Sequence, residues 1–144
     1  MRKTIIILAL LLTAMVPAMS LADVSTWKTA NQVTVAWDAV TALSDGRPLP
    51  AGDTIQYEVY SGTDTTKANP TLITTVATTQ TTITFPNEGR FLVGLKSIRR
   101  DSTLAKIGES ALVWSDDPVV CQNGQTFGVI YFISPGNPGG MRTQ

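Results

Sequence analysis

Residues Gln32 to Val40 read QVTVAWDAV, and their alternation decides the fold. Val33, Val35 and Trp37 fall on one face of an extended chain, and Thr34 and Ala36 fall on the other. Strand side chains point to opposite faces in turn, so this is the pattern of a strand with one dry and one wet face. The pattern recurs on both sides. In TIQYEVYSG, Ile55, Tyr57 and Val59 oppose Gln56, Glu58 and Tyr60; in TTITF, Ile83 and Phe85 oppose Thr82 and Thr84. RFLVGLKSI aligns Phe91, Val93 and Leu95, and TLITTVA and SALVWS are further apolar runs. The many threonines fit, because β-branched side chains suit a pleated, partly wet surface.

Turn chemistry separates the runs. LSDGRPLPAGD carries Asp45-Gly46, two prolines and Gly52; SGTDTTKANP carries Gly62, Asn69 and Pro70; PNEG is a tight corner; RRDSTLAKIG closes at Gly108. Short strands punctuated this way predict an all-β sandwich or barrel of six or seven antiparallel strands. Helical periodicity is absent beyond the first residues.

Those first residues read as an export signal. Arg2 and Lys3 precede the apolar run TIIILALLLTAMV, and Ser20 and Ala22 are the small residues before a cut after Ala22. The run is short of the ~20 apolar residues that span a bilayer, so membrane contact is expected only through this transient signal peptide, residues 1–22. The mature chain then starts at Asp23 with nine basic and eleven acidic residues, a net charge of −2. No basic face follows, which disfavours nucleic acid as a partner. Periplasm, cell surface and extracellular space all fit such a chain.

The chain has no histidine. That removes the commonest general base and metal ligand, and with them Ser-His-Asp and Cys-His catalysis. Asp116 and Asp117 are adjacent, and Asp45 and Asp53 bracket a loop, but acids in turns usually bond their own backbone. The Asp45–Asp53 segment lacks the oxygen density of a calcium loop. No enzyme, metal or cofactor is implied. Cys121 is the single cysteine; it has no intrachain disulfide partner and reads as a small, largely buried hydrophobe or an intermolecular thiol.

Over roughly residues 24–118 the chain resembles a fibronectin type III domain, an immunoglobulin-like sandwich of seven strands. VTVAWDAV looks like its second strand, with Trp37 in the core; YEVYSG looks like its third, with Tyr57 and Val59 inward. FLVGLKSI looks like the sixth strand, and Gly108 to Ser110 like the Gly-x-Ser that enters the last. The resemblance therefore implies a core of Trp37, Tyr57, Val59, Phe85, Phe91, Val93 and Leu95. Truncation of Trp37 to Ala is expected to cost about 3–5 kcal/mol. The family's corner tyrosine is replaced: its six-residue spacing survives as Phe85 to Phe91, so ring packing stands in for a hydrogen bond worth about 0.5–1.5 kcal/mol. Phe91→Tyr is expected to be tolerated or stabilising. The first strand must be short, near Val24 to Trp27. Adhesion or partner binding is the function the resemblance implies, though one sandwich hosts many functions.

Three aromatics stand out as candidates for a protein partner or a sugar ring: Trp27, Tyr60 and Trp114. A fourth region lies beyond the strands such a sandwich needs. Residues 119–144 read as an extension with a strand near 127–133, uncharged and apolar, followed by a flexible Pro/Gly-rich linker. Within it Phe127, Ile130 and Tyr131 are candidate contacts. An apolar strand left open would aggregate, so it either completes its own domain's sheet or adds to a neighbour's. The expectation is an exported, non-enzymatic interaction or adhesion module for a protein or glycan partner. The alternative is a structural subunit that self-associates through this strand.

Overall fold

The computed structural model describes residues 24–63 and 67–135; the expected signal peptide and most of the Pro/Gly-rich end lie outside them. Nine strands form among these residues: β1 (Thr26–Thr29), β2 (Gln32–Ala36), β3 (Thr54–Gly62), β4 (Thr71–Val76), β5 (Gln80–Thr84), β6 (Gly89–Arg100), β7 (Lys106–Glu109), β8 (Val113–Trp114) and β9 (Phe127–Tyr131). No described residue is in an α-helix. The protein is all-β, with a main mixed sheet of seven strands and a separate sheet of two.

The main sheet runs β1-β9-β6-β3-β4, with β7 and β8 also paired to β6. The small sheet is β2 with β5, in antiparallel register from Gln32↔Thr84 to Ala36↔Gln80. Val35 and Ile83 from the small sheet meet Val59, Val93 and Val129 from the large one in a single core. Phe85 is buried in the same cluster, with Phe91, Leu95, Trp37 and Phe127 packed against it. The rings of Phe85 and Phe91 stack at 4.7 Å between centroids. Trp37 meets Tyr57 edge-on at 5.3 Å, and the Tyr57 hydroxyl accepts a 2.9 Å bond from the Val40 N–H. The indole N–H of Trp37 is buried without a partner among the described residues.

One edge of β6 is paired by three successive segments. β7 meets Ile98 to Arg100, β8 meets Gly94 and Leu95, and β9 meets Gly89 to Phe91. Between β8 and β9 the chain leaves the sheet at Ser115 and returns at Phe127, whose N–H donates to the Ser115 carbonyl at 2.8 Å. The apolar strand near the C-terminus, read from sequence as part of an extension, thus lies inside the main sheet and ends at Tyr131 rather than Ile133.

The sheets are not all antiparallel, as the alternation had suggested. β1 pairs β9 in parallel, from Thr26↔Phe127 to Thr29↔Ile130. Parallel neighbours need a long connection, and here almost the whole fold lies between the two. β1 itself starts at Thr26, two residues later than expected, because Ser25 is tied to the chain just before β9. Its N–H donates to the Thr126 hydroxyl at 2.8 Å and its own hydroxyl to the Thr126 carbonyl at 2.5 Å.

Candidate functional site

The outer face of the main sheet gathers the candidate aromatics. Val59, Val93 and Leu95 point to the core, so the residues between them face outward. In β6 these are Arg90, Leu92, Gly94, Lys96 and Ile98. Register sets Gly62 opposite Leu92, and Tyr60 and Trp114 on either side of Gly94.

Glycines make the beds for the rings. A Cβ at Gly62 would lie 2.7 Å from the Trp114 ring, and one at Gly94 would lie 3.1 Å from it. On the other side of β6, a Cβ at Gly128 would lie 2.4 Å from the ring of Trp27. The two tryptophans therefore lie flat against backbone where no side chain fits. They come from strands far apart in sequence and flank Leu92, which is fully buried.

A cation sits over each of three rings. The Arg90 guanidinium is 5.1 Å from the centroid of Trp27, the Lys67 ammonium 6.0 Å from Trp114, and the Lys96 ammonium 5.9 Å from Tyr60. Such pairs are worth about 0.5–1 kcal/mol at exposed sites. Two of the cations also meet acids: Lys67 pairs with Asp116, and Lys96 lies 3.5 Å from Glu109. The Tyr60 hydroxyl donates to Glu58 at 2.6 Å. That bond, with burial and the charges of Glu58 and Glu109, pushes the phenol up to about 12. Tyr60 is therefore a neutral donor and ring, not an acid–base group, at any ordinary pH.

The other candidates divide between the faces. Ile130 lies on the outer face, in register with Thr29 and Arg90. Phe127 packs against the core, and Tyr131 shares the face of buried Val129. β9 has β6 on one side and β1 on the other, so neither of its edges is open. The sequence reading named Tyr60, Trp114 and Trp27 without bringing them together, and it missed Leu92, Arg90, Lys67 and Lys96. The available signal was glycine: Gly62, Gly94 and Gly128 interrupt apolar strand runs, and an interior strand glycine often marks a close approach.

Each of the candidate acids has a local partner, Asp116 meeting Lys67. Asp45 bonds Arg47 at 2.6 Å, and Asp53 bonds Arg99 at 2.6 Å. Asp117 accepts the Val119 N–H at 2.9 Å, the turn role expected of such residues. Cys121 is partly buried, and its thiol donates to the Ser115 carbonyl at 3.2 Å. Burial first, then the charges of Asp117 and Asp116, raise its pKa, so the thiol stays protonated and weakly nucleophilic at neutral pH. No protein-family model, curated protein or solved structure matches the chain.

Proposed function

We propose that the mature chain is an exported, non-enzymatic interaction module of fibronectin type III-like design, binding a protein or glycan partner through the outer face of its main sheet. The observation that carries this is the set of three aromatic rings held there, two of them flat on glycine and each topped by a cation. Side chains of this kind, fixed before a partner arrives, lose little entropy on binding, and Trp, Tyr and Arg are the residues enriched at binding hot spots. Strand order supports the architectural part: the second and fifth strands form one layer, and the third, sixth and last strands the other, as in immunoglobulin-like sandwiches. The parallel pairing of the first strand with the last is a departure from the antiparallel sheets of that design. The occupied edges of β9 weigh against self-association through that strand.

The test uses residues 23–144 as purified mature protein, applied to a glycan array and to intact cell surfaces. Tyr60→Ala and Trp114→Ala should each reduce retention at least tenfold, with circular dichroism showing a folded sheet. Unchanged retention in both folded variants would remove the outer face from consideration.

A further inference from the structure

The small sheet has an edge, along β2, that no strand among the described residues covers. The Trp37 N–H donates to Thr79 and the Phe85 N–H to Asn31. Bonded positions alternate along an antiparallel ladder, so with this register Val33 and Val35 also bond toward β5. Gln32, Thr34 and Ala36 therefore turn their N–H and C=O groups the other way. No strand of the described residues pairs on that side. Edges are usually protected by a charge, a proline or a bulge, and β2 contains none of these.

Beside this edge runs a groove between the two layers. It consists of cavities of about 650 and about 290 Å³ that share Val35, Ala36, Gln125 and Phe127. Val93, Leu95 and Val113 line the larger one together with Asp38, Gln122 and Gln125; Lys28 lines the smaller one. An open backbone edge, a floor of apolar and uncharged polar side chains, and one charge of each sign, Asp38 in one cavity and Lys28 in the other, describe one kind of occupant.

We infer that the outer edge of β2 accepts an extended segment of a partner polypeptide, added as a strand. Its backbone pairs with Gln32, Thr34 and Ala36, and its alternate side chains are apolar and enter the groove. A charged side chain over the floor would be buried unpaired. At its ends the segment carries a basic group facing Asp38 and an acidic group facing Lys28. Laid antiparallel to β2, it reads basic first and acidic last. This surface is distinct from the rings topped by cations on the outer face and goes beyond the function proposed for them.

The experiment titrates mature protein with the blocked peptide Lys-Thr-Val-Thr-Val-Thr-Glu, whose charged ends share a face with its valines, following amide resonances and hydrogen exchange. Binding should be saturable, with the largest protection at Thr34 and Ala36. Methylating two peptide amides on the pairing side should weaken it at least tenfold. The reversed sequence, Glu-Thr-Val-Thr-Val-Thr-Lys, should bind several-fold less tightly, and the Lys28→Glu, Asp38→Lys double variant should invert that preference. Thr34→Pro removes an outward N–H and spares the backbone bonds to β5, losing only the exposed hydroxyl contact with Thr82; binding should fall at least tenfold in a variant that stays folded. If Thr34→Pro unfolds the protein, the double variant and the methylated peptide decide. Equal binding of methylated and unmethylated peptides overturns the inference. So does protection elsewhere than Thr34 and Ala36, or no binding up to about 1 mM, where association is worth only about 4 kcal/mol.

Discussion

The two faces of the main sheet bury side chains by opposite means. On the inner face Val59 and Val129 are 0% exposed because a second sheet brings Val35 and Ile83 against them. On the outer face no strand layer lies above among the described residues, yet Leu92 and Ile98 are also 0% exposed. Around Leu92 the solution is subtraction. Gly62, Gly94 and Gly128 remove side chains from the sheet surface, and Trp114 and Trp27 lie in the space this leaves. Full burial of a leucine is worth about 1.5–3 kcal/mol wherever it happens, so a face usually read as solvent-exposed contributes like a core.

The sharpest way to break this comparison is to truncate one side chain on each face. Ile83→Ala in the inner core should cost about 2–5 kcal/mol, as buried aliphatic truncations do. Leu92→Ala should fall in the same range despite having no second sheet above it. Chemical denaturation of both variants measures the difference. A Leu92→Ala cost within about 0.5 kcal/mol of zero, the usual range for a surface substitution, would make the outer face mere surface.

The beds give a finer test. Gly128→Ala puts a methyl group 2.4 Å from the Trp27 ring, a separation that forces the ring to move. Overpacking of this kind costs about 1–3 kcal/mol. Gly108→Ala, whose new methyl would have its nearest neighbour at 4.0 Å, should change stability by no more than about 0.5 kcal/mol. Combining Gly128→Ala with Trp27→Ala should recover part of the loss, because the ring that clashes is then absent. Additive costs in that cycle would separate Gly128 from Trp27 energetically.

This contrast also explains what the sequence conveyed and what it withheld. Alternation in QVTVAWDAV, TIQYEVYSG, TTITF and RFLVGLKSI located β2, β3, β5 and β6 and identified their inward residues, because one buried face imposes a period of two. It could not say what covers the other face. Leu92 and Gly94 occupy the positions between Phe91, Val93 and Leu95, where period two alone assigns solvent. Their cover comes from Trp27, in the first strand, and from Trp114, beyond the end of β6, a loop and β7. Pairing partners were hidden for the same reason. FGVIY reads as a strand on its own, but its place between β1 and β6 depends on contacts across most of the chain. SALVWS contributes only Val113–Trp114 to the sheet, and the chain leaves it at Ser115. Of the outer-face site, the rings were visible as residue types; their beds and cations were not, since register alone brings them together.

The smallest expected effect lies at the rim of the outer face. Tyr60 donates its hydroxyl to Glu58, and this bond, ahead of burial and nearby charge, raises its pKa to about 12. In the unfolded chain a tyrosine loses its proton near pH 10. The folded protein therefore holds this proton more tightly, and the resulting stability is complete below about pH 10 and disappears as pH rises toward about 12. Lysines titrate in the same window, so wild type must be compared with Tyr60→Phe rather than read alone. Denaturation midpoints across this range should fall more steeply for wild type, the two curves converging at the alkaline end. Curves that stay parallel would mean that Tyr60 meets Glu58 without holding its proton, and that the rim, unlike the ring beds, is ordinary surface.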